Sequence, residues 1–457
     1  MSPAVRMSAE ELRASVSLAG IFGLRMLGMF LILPVFAIYA ETLPGGANLT
    51  LVGIALGAYG LTQALLQIPF GWWSDRHGRK PVIYAGLAIF AVGSFIAAAA
   101  GNIYVVILGR VLQGAGAISA AVIAMVADLT REEHRAKAMA MIGSTIGATF
   151  ALSLVAGPWL DHLIGVPGIF VLTGVLALAA IVVVREIVPD VPETTRRHGH
   201  EKPAGFWEVL TNRELARQNF GVLVLHAVLM SLFIAVPFSL RSGGLDVSEH
   251  WKVYLPTLLG SFVLMVPVLI RARTARQVKT AFIASVALLL GVQVTLPWSV
   301  GSVWPLAGSL LVFFAAFNVL EATLPALASR TAPAGARGVA LGVFTSIQFF
   351  GTFLGAAAGG WVYGSWGAMG VVAMNAGLVA VWLALTLGMT VPVALSTREY
   401  AISPLDAEQA DGLAARLRAL PGVHEASVAA GERSARLRVD SAGFDDENVR
   451  RLIARDG

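Results

Sequence analysis

Four ionisable side chains stand inside long apolar runs of this 457-residue chain: Arg25, Arg110, His226 and Glu321. A charge at membrane depth is costly, so each is a candidate for function. Glu321, in Asn318-Val-Leu-Glu321, is the acid set deepest in such a run. Burial favours a neutral carboxyl, and a nearby cation such as Arg110 favours a charged one. A carboxyl held between the two can take up and release a proton. His226 is a second group able to titrate near neutrality, although a lone histidine on an apolar helix is more often a hydrogen-bonded packing residue. Arg110 shares a helix face with Gln113 and Gly114. Arg25 either serves a solute or binds carbonyl groups and holds a helix contact. Tyr59, Gln63 and Gln67 recur at i, i+4 and i+8, while Asn318 and Gln348 stand in later runs. Such polar positions either line a cavity or glue helices together.

A second cluster lies between the apolar runs 49–73 and 81–100. Gly71-Trp-Trp-Ser-Asp75-Arg76-His-Gly78-Arg79-Lys80 sets one acid and three bases within six residues. Its glycines allow a sharp turn and close approach of another helix. A basic loop that fixes topology explains Arg76, Arg79 and Lys80. It does not explain an acid at the end of a helix.

The elements that carry these residues follow from composition. The chain is 56% hydrophobic and 13% charged, which marks an all-α polytopic membrane protein. It has no cysteine, which excludes disulfides and thiolate metal sites. No zinc spacing, phosphate loop or nucleophile triad is present, so neither a metal, a bound cofactor nor an enzymatic reaction is expected. The net charge of +5 sits in loops, so nucleic acid is not an expected partner either. Twelve transmembrane helices are expected, roughly at 16–40, 49–73, 81–100, 103–127, 137–160, 167–187, 218–240, 252–271, 279–297, 303–329, 338–362 and 368–391. Residues 4–13 lack a small-residue cleavage site, so the first helix should stay in the membrane.

Loop bases crowd onto one side, from Arg13 through Arg79, Arg131, Arg196, Arg197, Lys202, Arg276 and Arg330 to Arg337. Arg241 and Lys252 fall on the other. Both termini should therefore be cytoplasmic. The expected domains are a six-helix half at 14–187, a cytoplasmic linker at 188–216, a second six-helix half at 217–391 and a polar domain at 398–457. In the linker, Phe206, Trp207 and Leu210 either lie on the membrane surface or belong to an ordinary solvated helix. The pairs Gly143/Gly147 and Gly351/Gly355 suit close helix packing. The last domain reads as a strand at 400–402, a helix at 405–420, a hairpin about Gly431 and a helix at 445–454. That β-α-β-β-α order is ferredoxin-like, and its exposed hairpin edge offers a route to self-association.

The loop pattern GxxxDRxGRK, carried by Gly71, Asp75, Arg76, Gly78, Arg79 and Lys80, resembles the signature loop of the major facilitator superfamily. The resemblance implies two parallel-related six-helix halves and gives the loop the role of a conformational latch. Asp75 would meet the positive amino end of the eleventh helix, expected near Gly335–Gly338, and Arg79 would pair with Asp128. Arg110-Val-Leu-Gln113-Gly114-Ala-Gly116 is similar to a second family motif, whose arginine is linked to proton coupling. Gly157-Pro158 retains half of an antiporter motif, and Leu27-Gly28 with Leu33-Pro34 fits the antiporter subfamily. The equivalent loop of the second half, Arg271-Ala-Arg-Thr-Ala-Arg276, has no acid. The resemblance implies a proton-coupled efflux transporter of the inner membrane, with lipid, a small solute and protons as partners and the proton gradient in place of a cofactor. The latch would stabilise its outward-open state. Arg25 and Arg110 against Glu321 favour an anionic solute. A transport-deficient sensor that signals through the last domain is the alternative.

Overall fold

Ten helices among the described residues are long and apolar enough to cross a membrane. Crossing takes about 20 helical residues, and two of the ten are 50 or more residues long. Each of those two contains one residue outside helical geometry, Gly165 (φ 69°) or Gly367 (φ 64°). Glycine reaches this left-handed region without strain, so each long helix turns there and crosses twice. The total is twelve crossings. The spans expected at 137–160 and 167–187, and at 338–362 and 368–391, are thus joined through a kink rather than a loop.

The structure is a computed structural model describing residues 7–190, 206–272, 274–299, 302–333, 336–391, 395–431, 433–440 and 444–456. Arg196, Arg197, Lys202 and Gly335 lie outside the described residues. Helix α1 (Ala9–Phe30) opens on a capping box between Ser8 and Glu11. After a break that contains Pro34, α2 (Phe36–Ala40) completes the first crossing. Then follow α3 (Leu49–His77), α4 (Arg79–Ala98), α5 (Ile103–Ala115), α6 (Ser119–Asp128), the doubled α7 (Glu132–Glu186) and the short α8 (Phe206–Thr211). The second half holds α9 (Arg213–Ser242), α10 (Trp251–Arg271), α11 (Ala275–Thr295), α12 (Val303–Thr331) and the doubled α13 (Arg337–Leu387). On α8, Val209 is buried, while Phe206, Trp207 and Leu210 are exposed.

Glycines set two helix contacts. Gly53, Gly57 and Gly60 of α3 lie against Ala356, Phe353 and Phe349 of α13, so closely that a Cβ would strike its main chain. Gly351 and Gly355 of α13 lie in the same way against Leu223 and Ala227 of α9. Gly143 and Gly147 differ: a Cβ at either meets nothing within 4 Å. The close packing expected there is absent because this part of α7 faces open space. In the first half, Leu18, Phe22, Met26, Tyr59, Phe90 and Met125 form one core, which Phe349 of α13 joins.

The chain divides into two compact units, Met1–Met265 with Ile283–Gly388, and Val266–Phe282 with Met389–Gly457. The second contains β1 (Leu395–Ala401), α14 (Ala407–Arg418), β2 (Val423–Val428), β3 (Ser434–Asp440) and α15 (Asp446–Asp456). The strands form an antiparallel sheet in the order β1-β3-β2, as in the first five elements of a ferredoxin-like fold. Alternation along β3 buries Ala435, Leu437 and Val439 and turns Arg436 and Arg438 outward to Glu399 and Glu425. Leu413, Leu417, Val449 and Ile453 cover the buried face. Helix α14 starts later than expected because Asp406 caps it, in a capping box with Gln409.

Candidate functional site

The loop after α3 is shaped by Gly78, whose φ of 92° ends one helix and lets the next begin at once. Arg79 is thereby folded back over α3. Its Nε donates to Asp128 Oδ2 at 2.8 Å, and Nη1 donates to Ser74 Oγ at 2.9 Å and to the Asp75 carboxylate. Asp128 arrives from the last residue of α6, which nears α3 where a Cβ on Gly71 would lie 3.3 Å from that of Ala120. Such charge-assisted bonds are stronger than neutral ones. Arg76 covers the Trp72 ring at 3.9 Å, and Lys80 Nζ meets Asp190 Oδ1 at 2.9 Å. A cavity of about 370 Å³ lies beside them, lined by Arg79, Lys80, Tyr84, Arg185 and Asp190. Asp75, Arg79 and Asp128 are thus brought together. The bonds of Asp75 run to Arg79, and its side chain is 54% exposed. Gly338, at the start of α13, faces open space.

Two further ion pairs escaped the sequence reading. Glu11 accepts from the Arg131 backbone N–H at 2.9 Å and from its Nε and Nη2, both at 3.0 Å, tying α1 to the start of α7. Glu41, just after α2, accepts from both Arg241 terminal nitrogens, at 2.7 and 3.1 Å. The Ser8–Glu11 spacing of a capping box is a signal that could have singled out Glu11, but nothing in the sequence points across the fold to Arg131.

Arg25 and Arg110 are both buried against Tyr59, with their guanidinium carbons 5.4 and 5.0 Å from its ring centre. Arg110 Nη1 donates to Gln113 Oε1 at 2.7 Å and to Gly28 O at 3.3 Å, and its other nitrogens reach Ala55 O and Leu56 O at 3.4 Å. Gln113 in turn donates to Ser94 Oγ at 2.8 Å. Arg25 donates to Ser119 Oγ at 2.9 Å and to Gln63 Oε1, and Gln63 donates to Gln67 Oε1 at 3.0 Å. These donor bonds of Arg110 go to Gln113 and to carbonyls of α1 and α3, and none of them runs to Glu321.

Glu321 of α12 instead meets His226 of α9 and Gln348 of α13. His226 Nδ1 lies 3.0 Å from Val222 O, which assigns the proton to Nδ1 and leaves Nε2 as an acceptor. Gln348 Nε2 is 2.8 Å from that Nε2 and donates to Glu321 Oε1 at 3.2 Å. The other Glu321 oxygen is 3.6 Å from His226 Nε2. The glycine contact explains the meeting: Gly351 and Gly355 bring α13 onto α9 at Leu223 and Ala227, on either side of His226, with Gln348 one turn away. Glu321 is less enclosed than its mid-helix position suggested, at 38% exposed. Asn318 turns to Ser261 Oγ of α10 at 2.9 Å.

These features agree with comparisons to known proteins. The model of the Major Facilitator Superfamily matches residues 18–356. The inner membrane transport protein YajR of Escherichia coli is 43% identical over 437 residues, 95% of this chain and 96% of that protein. The class G tetracycline resistance protein of Vibrio anguillarum is 35% identical over 147 residues, 32% of this chain and 36% of that protein. A bacterial homologue of the human lysosomal transporter Spinster, solved in an inward-facing and occupied conformation, shares the fold with a TM-score of 0.68 at 14% identity, covering 83% of this chain and 97% of that one. Family model, full-length relative and fold concur: the chain belongs to the major facilitator superfamily and is a multi-pass membrane transporter.

Proposed function

We propose that the protein is a proton-coupled efflux transporter of the inner membrane, with both termini cytoplasmic and two halves, 14–187 and 217–391, that alternate about a central site. The observation that carries this reading is the cluster of Glu321, Gln348 and His226 on three different helices. A proton placed on His226 Nε2 turns an acceptor into a donor. Gln348 Nε2 then loses that partner, and the imidazolium faces Glu321 directly. Gln348 belongs to α13, which also packs against α3 of the other half through Gly53, Gly57 and Gly60. Proton binding thereby alters what holds the helix at the seam between halves, which is the link a coupled transporter needs.

The latch acts on the same helix. In the outward-open state, Asp75 meets the amino end of α13, while Arg79 and Asp128 hold its carboxylate in position. The close α3–α13 contacts involve residues 49–60 and 349–360, remote from Asp75, which supports reading this conformation as inward-facing. The tetracycline resistance relative supports efflux as the direction. Lipid, a small solute and protons are its partners, and the domain at 398–457 is a candidate for self-association.

A solute screen in everted membrane vesicles tests the proposal. Accumulation of at least one solute should require this protein and collapse when a protonophore removes the gradient. Accumulation that ignores the protonophore would contradict proton coupling, and no accumulation of any solute would favour the sensor instead.

A further inference from the structure

At the end opposite Asp75, the halves are joined by an exposed ion pair. Glu41 follows α2, at the end of the first crossing, and Arg241 stands in the last turn of α9, at the end of the seventh. Their bidentate contact, at 2.7 and 3.1 Å, spans 200 positions of sequence and connects one six-helix half to the other. The arginine is also fixed from below. Its guanidinium lies 5.2 Å from the Phe238 ring centre, and Phe238 stacks on Tyr363 of α13 at 5.3 Å. Glu41, Arg241, Phe238 and Tyr363 thus form one column across α2, α9 and α13. The same end carries a close α3–α13 approach, at Gly53 and Gly360.

We propose that Glu41 and Arg241 form a lock that holds the two halves closed at this end and must break each time they part there. It is the counterpart, on the opposite face, of the Asp75–Arg79–Asp128 cluster. Its strength suits that role. Both side chains are more than 40% exposed, and exposed pairs bias an equilibrium by only about two- to five-fold. A buried pair would be much harder to separate. An exposed one biases a cycle without arresting it, and responds to ionic strength. The proposal does not depend on how protons are coupled, since neither residue touches Glu321, His226 or Gln348.

The absence of cysteine makes the test direct. Spin labels on His77→Cys and Gly338→Cys, both at exposed helix ends, report the separation of α3 and α13 at the latch end without any solute. E41Q and R241Q should each shift the ratio of long to short distances toward short by about two- to five-fold. The reversed pair E41R/R241E should return the ratio close to that of the parent. Raising salt to about 1 M should shift the parent in the same direction and leave E41Q unmoved. Each variant is first shown to elute as a single folded species. An unchanged ratio in E41Q and R241Q, or a reversed pair no better than either single variant, would overturn the lock.

Discussion

His226 and Glu321 stand 3.6 Å apart, ring nitrogen to carboxylate oxygen, on helices separated by 95 positions of sequence, with the Gln348 amide in contact with both. A histidine, a carboxylate and an amide in mutual reach form a unit whose hydrogen bonds depend on one proton. The amide can donate to His226 Nε2 only while that imidazole is neutral, and its bond to Glu321 is strongest while the carboxylate is charged. Gln348→Leu keeps the volume and removes both bonds. We expect the variant to fold, with the pH dependence of transport displaced and the rate reduced by about ten-fold or more, in the range for loss of a bond to a charged group. A pH–rate profile of solute flux checks this.

Arg79 serves two carboxylates, and Asp128 is largely enclosed at 23% exposure. Arg79→Ala leaves that carboxylate without its strongest partner. The expected cost is about 1–3 kcal/mol, read as reduced thermal stability in detergent. Asp75→Asn should cost much less stability, because Asp75 is half exposed, yet it should enrich inward-facing distances between His77 and Gly338. Equal thermal losses for the two variants would contradict this division of roles.

Glycines at identical spacing should respond oppositely. A Cβ at Gly355 strikes the Ala227 main chain, whereas one at Gly143 meets nothing within 4 Å. Gly355→Ala should destabilise by about 1–3 kcal/mol through overpacking and separate Gln348 from His226. Gly143→Ala should be neutral or stabilise by up to about 1 kcal/mol through helix propensity. Thermal unfolding of both in the same detergent checks the contrast.

In the last domain, Tyr400 Oη donates to Asp446 Oδ1 at 2.5 Å. Burial, and then this bond, push the Tyr400 hydroxyl up to about 12. The bond from Tyr400, and then Arg450, hold the Asp446 carboxyl below its ordinary value. Stability from the lowered carboxyl is present above its unfolded pKa and lost as pH falls through the folded one. Stability from the raised hydroxyl is present below its unfolded value of about 10 and lost as pH rises toward about 12. Tyr400→Phe should weaken the acid dependence, measured as amide exchange of β1 in the intact chain between acid and neutral pH.

The sequence made much of this legible, for identifiable reasons. Twelve crossings follow from runs of apolar residues, because a bilayer imposes length. Asp75, Arg79 and Asp128 follow from a dense charge pattern at helix ends. Glu321 and His226 stood out singly, since charge inside an apolar run is visible without a fold. Their meeting was not visible: it depends on Gly351 and Gly355 drawing α13 onto α9, and Gly143 and Gly147 show that the same spacing can face open space. The sequence offers Arg110 as a cation near Glu321, but whether an arginine finds a carboxylate or a set of carbonyls is decided by which helices surround it.

If the coupled proton is carried by the cluster of Glu321, Gln348 and His226, proton movement during transport should depend on both of its titratable members. Everted vesicles are loaded with a pH-sensitive dye, and dequenching is followed when a solute transported by the parent protein is added. Glu321→Gln, which holds this side chain neutral, and His226→Gln should each bind the solute with unchanged affinity but release few or no protons. Dequenching by either variant at the parent rate, with unchanged pH dependence, would remove this cluster as the proton carrier.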